Sequence, residues 1–339
     1  VEYALAIMRT DPNWRTTYAH GVEYPTSSWI SYGQRSRFKL ALLDVSDNNL
    51  TNEPNDAVTI RGVGSAGNAV CITTVSVEPG TRALNCLDCS LHSNNRLYAD
   101  NQSTLTTNQM VSSNARIDIN PGLLGLGLLG SSKIDGDAWS TGPIDSGGVT
   151  GASYPNQSSR REMPDSATAF EYYLAVGTRI KRSSLVSGNF QGVLSATSNP
   201  YGPVNPQGIY VIDCSGLSVR IDSSQIRGTL VIINSSDVRT IGTLDWAPAA
   251  ANYPVLMVGG PLRMDHSGTI SGLVYVTGNL SVTRSSTING IVVVAGTATT
   301  TTNLNVNYNS TPRDIPPPGF GAGPAMRVVP GTWRRTTAN

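Results

Sequence analysis

Apolar positions return at a fixed interval of 18 residues through the C-terminal part of the chain. Residues 254–260 (PVLMVGG), 272–278 (GLVYVTG) and 290–296 (GIVVVAG) begin 18 residues apart and match position by position. Val255, Leu273 and Ile291 align, then Met257, Tyr275 and Val293, then Val258, Val276 and Val294. The match continues through Leu262, Leu280 and Ala298 and through Met264, Val282 and Thr300, and ends at Ile270, Ile288 and Val306. Two looser units, 208–226 and 228–244, precede these, and 245–252 reads as a loop extruded from a corner. Eighteen residues are too few for a helix-turn-helix repeat, while the β-branched content and alternations such as Leu280-Ser-Val282 predict strands. Three short strands at about 3.3 Å per residue fit one such unit. The predicted element is a triangular coil with aliphatic side chains stacked inside. Burying an aliphatic side chain stabilises by about 1.5–3 kcal/mol, against roughly 1–2 kcal/mol of entropy per ordered residue. One coil therefore cannot stand alone, and neighbours must stack.

Upstream, residues 93–100 and 113–120 echo one another with an offset of 20, and 134–139 follows, which predicts two or three irregular coils. Residues 164–176 carry the signals of a short helix capped by Asp165 or Ser166, expected to close the open end of the second stack. Residues 1–82 read differently: Val1 to Met8 as the tail of a helix that began earlier, then strands at 37–44 and 57–62 around a turn at 46–49. The proline-rich stretch 311–324 lacks donors for regular structure and is expected to run extended, anchored by Trp333. The expected fold is mostly β: a right-handed parallel β-helix (β-solenoid) of about 18 residues per coil, with a small N-terminal β-rich domain and short helices. The expected division is 1–82 for the helix remnant and small β domain, 83–160 for irregular coils and a loop, 161–310 for regular coils with a capping helix near 165–176, and 311–339 for the tail.

Composition narrows the function classes. Only 14% of residues are charged and the net charge is +1, so neutral hydroxyls and amides cover the surface and no footprint for nucleic acid stands out. The basic pairs Arg160-Arg161, Lys181-Arg182 and Arg334-Arg335 read as solvated surface. No run of 18 apolar residues is present to span a membrane. Four cysteines occur; Cys86 and Cys89 have CxxC spacing, yet a zinc site needs two further ligands and the three histidines offer no paired spacing. A local or cross-rung disulfide involving Cys86 and Cys89, or plain buried thiols, is the expectation.

The candidate chemistry is sparse. Arg179-Ile-Lys181 matches a triplet used by polygalacturonases, without that family's other motifs. Asp135 and Asp137 would share one strand face, where paired carboxylates bind calcium or act as acid and base, or else cap a turn. Asp265 and His266 are adjacent and so project to opposite faces. Residues 297–302 (TATTTT) offer hydroxyls at strand spacing that order water or sugars, or simply suit a solvated coil. No catalytic, cofactor or metal site is assigned, and an enzyme is not expected.

Asp11-Pro-Asn-Trp-Arg15, Arg161-Glu-Met-Pro-Asp165 with Phe170-Glu-Tyr-Tyr173, the Gly-Leu-Val-Tyr-Val-Thr-Gly coil and Pro316-Pro-Pro-Gly-Phe320 together resemble bacterial pilin-like, pilus-assembly-associated surface proteins related to type IV pilins. The resemblance covers most of the chain and its motifs are structural. It implies an extracellular, cell-surface structural subunit that self-associates into a filament, alone or with other pilus components. Pro316, Pro317, Pro318, Phe320 and Trp333 are the expected assembly contacts. The alternative is a secreted carbohydrate-binding or pectin-lyase-like β-helix protein; short-coiled bactofilins are a third comparison.

Overall fold

The structure, a computed structural model, describes all residues except 12, 33–34, 54–55, 121–131 and 339. Pro12 of the Asp11–Arg15 run and part of the irregular coils expected within 83–160 therefore lie outside the described residues. The chain is mostly β and forms two units, residues 1–82 with 322–339, and residues 83–321. Among the described residues no helix is long and apolar enough to cross a membrane.

In the first unit the helix Glu2–Thr10 lies on an antiparallel sheet. Ala4 and Met8 are one turn apart and so share a face; both are buried in a core with Trp14, Leu40, Leu42, Ile60 and Val75. The sheet runs from the edge strand Ile30–Tyr32 through Ser36–Asp44 and Val58–Ala66 to Ala69–Ala83. That last strand is 15 residues long, and its outer edge is a row of backbone donors and acceptors that needs partners. The end of the chain supplies them. Strand Arg334–Ala338 pairs antiparallel with Val70 to Thr74, strand Gly321–Val328 also joins, and Val329 N–H donates to Ser76 O at 2.9 Å. The tail expected to run extended over 311–339 is instead a helical turn, Thr311–Asp314, followed by two strands of the first unit's sheet. The run Pro316, Pro317 and Pro318 precedes both strands and so costs no ladder bond.

The second unit is built from parallel pairs in three ladders. One passes through Val219, Val238, Leu262, Leu280, Ala298, Leu97 and Ile117 in register. A second passes through Ile226, Trp246, Ile270, Ile288 and Val306. The third stacks Ile212, Ile232, Val258, Val276 and Val294. Leu262 with Leu280, and Ile270 with Ile288, are the registers that the 18-residue spacing predicts. Two details differ. The register slips between Pro254 and Leu256, so Val255 sits in an irregularity rather than opposite Leu273. Asp245, Trp246 and Ala247 are not loop but strand, with Trp246 fully buried and its Nε1–H donating to Ser224 O at 3.2 Å.

The order of the stack is not the order of the chain. Ile291 to Val294 does not end the ladder: Val292, Val293 and Val294 pair in parallel with Leu91, His92 and Ser93, and Leu304 pairs with Leu105. The strands within 83–160, expected as a separate irregular region, thus continue the parallel ladders of the C-terminal strands. From the far end at Tyr154, paired with Trp139, the chain must return to Thr178, paired with Tyr210 at the opposite end. The segment between them makes that return. Arg161 is held by Asn114, whose Nδ2 donates to its carbonyl and whose Oδ1 accepts from its N–H, both at 2.7 Å. Asp165 caps the helix Ser166–Val176, accepting from Ala167 N at 2.8 Å.

That helix does not close an end of the stack. Phe170 packs on Tyr275 and Tyr173 on Tyr253, so the helix covers the outer face of the third ladder. The reason is visible in the sequence: strands such as Ile209–Asp213, Thr229–Ile233 and Pro254–Val258 are apolar on both faces and require cover on both.

Candidate functional site

An apolar groove of about 760 Å³ lies on the first unit, between the helix Glu2–Thr10 and the sheet. It is lined by Val1 and Tyr3 of the helical segment, Ile30 and Tyr32 of the edge strand, Phe38 and Val63 of the sheet, and Trp333. Gly62 and Gly64 keep the sheet surface low where they line the groove. Tyr3 stands edge-on to Phe38 with ring centroids 5.5 Å apart. Three of the aromatic side chains present much of their surface to solvent: Tyr3 is 49%, Tyr32 75% and Trp333 52% exposed. An exposed cluster of this kind is chemically an adhesive surface, with flat rings that bury much area for little side-chain entropy.

The other expected contacts are placed elsewhere. Phe320 is fully buried against Tyr275 and Pro317 is buried, so neither is an assembly contact; Pro316 and Pro318 are half-buried. The physical cause is again the two-sided apolar strand, which Phe320 helps to cover. Trp333 alone of the five lines the groove.

Cys86 and Cys89 form no disulfide: both are free, fully buried thiols at the 3-10 turn Asn85–Asp88 and just after it. Burial raises the pKa of each. Cys89 Sγ accepts from Ser112 Oγ at 3.0 Å, and Ser112 Oγ also bonds His92 Nδ1 at 2.8 Å. Burial lowers His92 to about 3 and His266 to about 4, so both rings are neutral near pH 7.

The remaining candidates serve the coils. Asp135 accepts from Thr150 Oγ1 at 2.9 Å and Asp137 from Ala152 N at 2.8 Å, which ties one coil to the next segment. Ile180 points into the core while Arg179 and Lys181 face solvent. Asp265 pairs with Arg239, and His266 turns inward to Thr240 Oγ1 at 2.7 Å. Of the threonine run, Thr300 is buried and Ala298 with it, so only alternate hydroxyls face out.

A second, polar groove of about 630 Å³ crosses the parallel ladders. Thr269, Thr287, Asn305, Thr106 and Asp135 stand in register across it on successive strands. Thr269, Thr287 and Asn305 follow the 18-residue period, whereas Thr106 and Asp135 belong to strands that only the stacking order brings alongside.

No family model and no curated protein matches the chain. Among solved structures, the competence-associated pilin ComZ from Thermus thermophilus shares 10% identity, with 94% of this chain and 88% of that chain covered at a TM-score of 0.44. A glycosylated ice-binding protein, LeIBP, from an Arctic yeast shares 10% identity over 68% of this chain and 94% of its own at 0.30. An ice-binding protein from an Antarctic biological consortium shares 10% over 67% and 91% at 0.35. With each score below 0.5, the likeness is no argument for a shared function.

Proposed function

We propose that the chain is a non-catalytic structural subunit of an extracellular or cell-surface filament that assembles by self-association. The observation that carries this reading is the apolar groove of the first unit, ringed by the exposed Tyr3, Tyr32 and Trp333. Aromatic anchors at a concave apolar surface are what a stable protein interface uses at its centre. A second copy of the chain is the proposed occupant. The second unit is read as a right-handed β-solenoid, its aliphatic ladders giving a scaffold whose stiffness comes from neighbour-to-neighbour stacking. The histidines support a structural role, being buried and hydrogen-bonded to Ser112 and Thr240 rather than placed at a solvent-facing carboxylate. Sedimentation velocity and electron microscopy test the proposal. Wild-type protein forms concentration-dependent oligomers or fibres, and Tyr32→Ser with Trp333→Ser abolishes them; dispersed monomers at every concentration would overturn it.

The polar groove favours a second reading, a carbohydrate-binding β-helix. Its row of hydroxyl, amide and carboxylate groups matches the hydrogen-bonding edge of a glycan, although no aromatic ring lines it for stacking. A glycan screen decides: binding lost in Thr287→Val and Asn305→Leu supports this second reading.

A further inference from the structure

The loop that follows strand Ser36–Asp44 gathers three carboxylates that the filament reading does not use. One carboxylate oxygen each of Asp44, Asp47 and Asp56 lies within 4.8 Å of the others. Oxygens on one calcium ion sit at about 2.3–2.6 Å from it, so two on opposite sides are up to roughly 5 Å apart. The three oxygens already stand within that span.

The Asp44 side chain supplies the second observation. It is fully buried, and its Oδ2 has no hydrogen-bond partner among the described residues. Its Oδ1, by contrast, accepts from Ser46 N at 2.8 Å and from Ser46 Oγ at 2.6 Å. A buried carboxylate oxygen with no donor costs several kcal/mol in general, unless a cation or a donor meets it. Ser46 Oγ also stands 2.9 Å from Asp56 Oδ2. A hydroxyl has one proton and serves one of these two carboxylates at a time, which leaves the other facing an oxygen lone pair.

Charge points the same way. The neighbouring cation is Arg15, and its guanidinium donates to the carbonyls of Leu50 at 3.2 Å and Asp56 at 2.6 Å rather than to the carboxylates. Three carboxylates and one guanidinium leave a formal charge of −2, which one divalent cation neutralises. His20 Nδ1 accepts from Asp44 N at 3.0 Å, which fixes that end of the strand. The donors are all oxygen, and the loop supplies them from an exposed turn beside one buried ligand. That combination suits the larger, geometrically tolerant calcium ion better than magnesium, which demands a tight octahedron.

We propose that Asp44, Asp47 and Asp56, with Ser46 Oγ, form a calcium site in the first unit that locks the loop after strand Ser36–Asp44. The test is calorimetric titration of the EDTA-treated full chain with CaCl2 and, in parallel, MgCl2, together with thermal unfolding with and without calcium. One calcium ion binds per chain, magnesium binds at least about tenfold more weakly, and calcium raises the melting temperature. Asp47→Asn and Asp56→Asn, which change exposed and half-buried groups, each weaken calcium binding at least about tenfold and abolish the rise in melting temperature. Their melting temperatures in EDTA stay close to wild type; Ser46→Ala provides a further variant should one of them unfold. Absence of saturable calcium binding up to about 10 mM, well above the weak end of extracellular sites, overturns the proposal. So does equal binding of magnesium, or affinity unchanged in all three variants.

Discussion

The ring of Phe320 meets that of Tyr275 edge-on, with centroids 5.3 Å apart and planes at 84°. Both rings are fully buried, and Phe170 of the return helix also packs on Tyr275 at 5.8 Å. A residue from beyond the prolines and a residue from the return helix thus cover the same apolar strand. Phe320→Ala opens a cavity there and lowers stability by about 3–5 kcal/mol, read as a lower denaturant midpoint. Trp333→Ala, at a half-exposed position, costs under about 1 kcal/mol in the isolated chain while weakening assembly. Equal losses from the two would contradict the roles assigned to them.

Stability falls with acid earlier than the carboxylates would dictate. His92 and His266 have folded pKa values of about 3 and about 4 against an ordinary 6.5, because burial disfavours their charged forms. Below pH 6.5 the unfolded chain binds protons that the folded chain does not. Stability is therefore full above that pH, declines as pH drops by up to about 1.4 kcal/mol per unit for each ring, and levels off below the folded values. Between pH 6.5 and 5 the carboxylates remain ionised, so the fall in melting temperature there belongs to the histidines. His266→Gln makes the slope shallower; a slope unchanged in that variant and in His92→Gln would refute the assignment.

Gly290 tests how closely successive turns approach. A Cβ there would stand 2.0 Å from Gly272 O and 2.6 Å from Gly272 C, both backbone atoms of the neighbouring strand. Neither can rotate away, so Gly290→Ala forces the ladder apart and costs about 1–3 kcal/mol or more. Equilibrium unfolding of this variant beside Gly67→Ala, where positive φ rather than crowding is the obstacle, separates the two causes.

The thiols give a direct chemical readout. Cys86, Cys89 and Cys214 are fully buried and Cys71 is partly exposed. Burial raises the Cys214 pKa to about 11, so little thiolate forms there near neutral pH. An aromatic disulfide reagent titrates one thiol in the native chain and four after denaturation, and reductant leaves the melting temperature unchanged. Two thiols missing from the denatured count would show a disulfide instead.

The sequence by itself determined the mostly β character and the local registers. Leu262 with Leu280 and Ala298, and Ile270 with Ile288 and Val306, repeat because each parallel strand presents an aliphatic to its neighbour in the ladder. Continuous runs such as Ile291 to Val294 are buried on both faces, and the expectation of aliphatics stacked inside did not foresee the outer cover. Tertiary structure alone decided which coils meet. Any apolar strand edge can pair with another, so a repeat states how neighbours align and not which segment is the neighbour. The pairing of Val292 with Leu91 joins residues some 200 positions apart and has no local signature. The same holds for the cover by Phe320, for the groove that brings Tyr3, Tyr32 and Trp333 together, and for Asp56 beside Asp44. Each depends on where a distant backbone passes, which is fixed by burial of shared apolar surface and not by any motif in the segment itself.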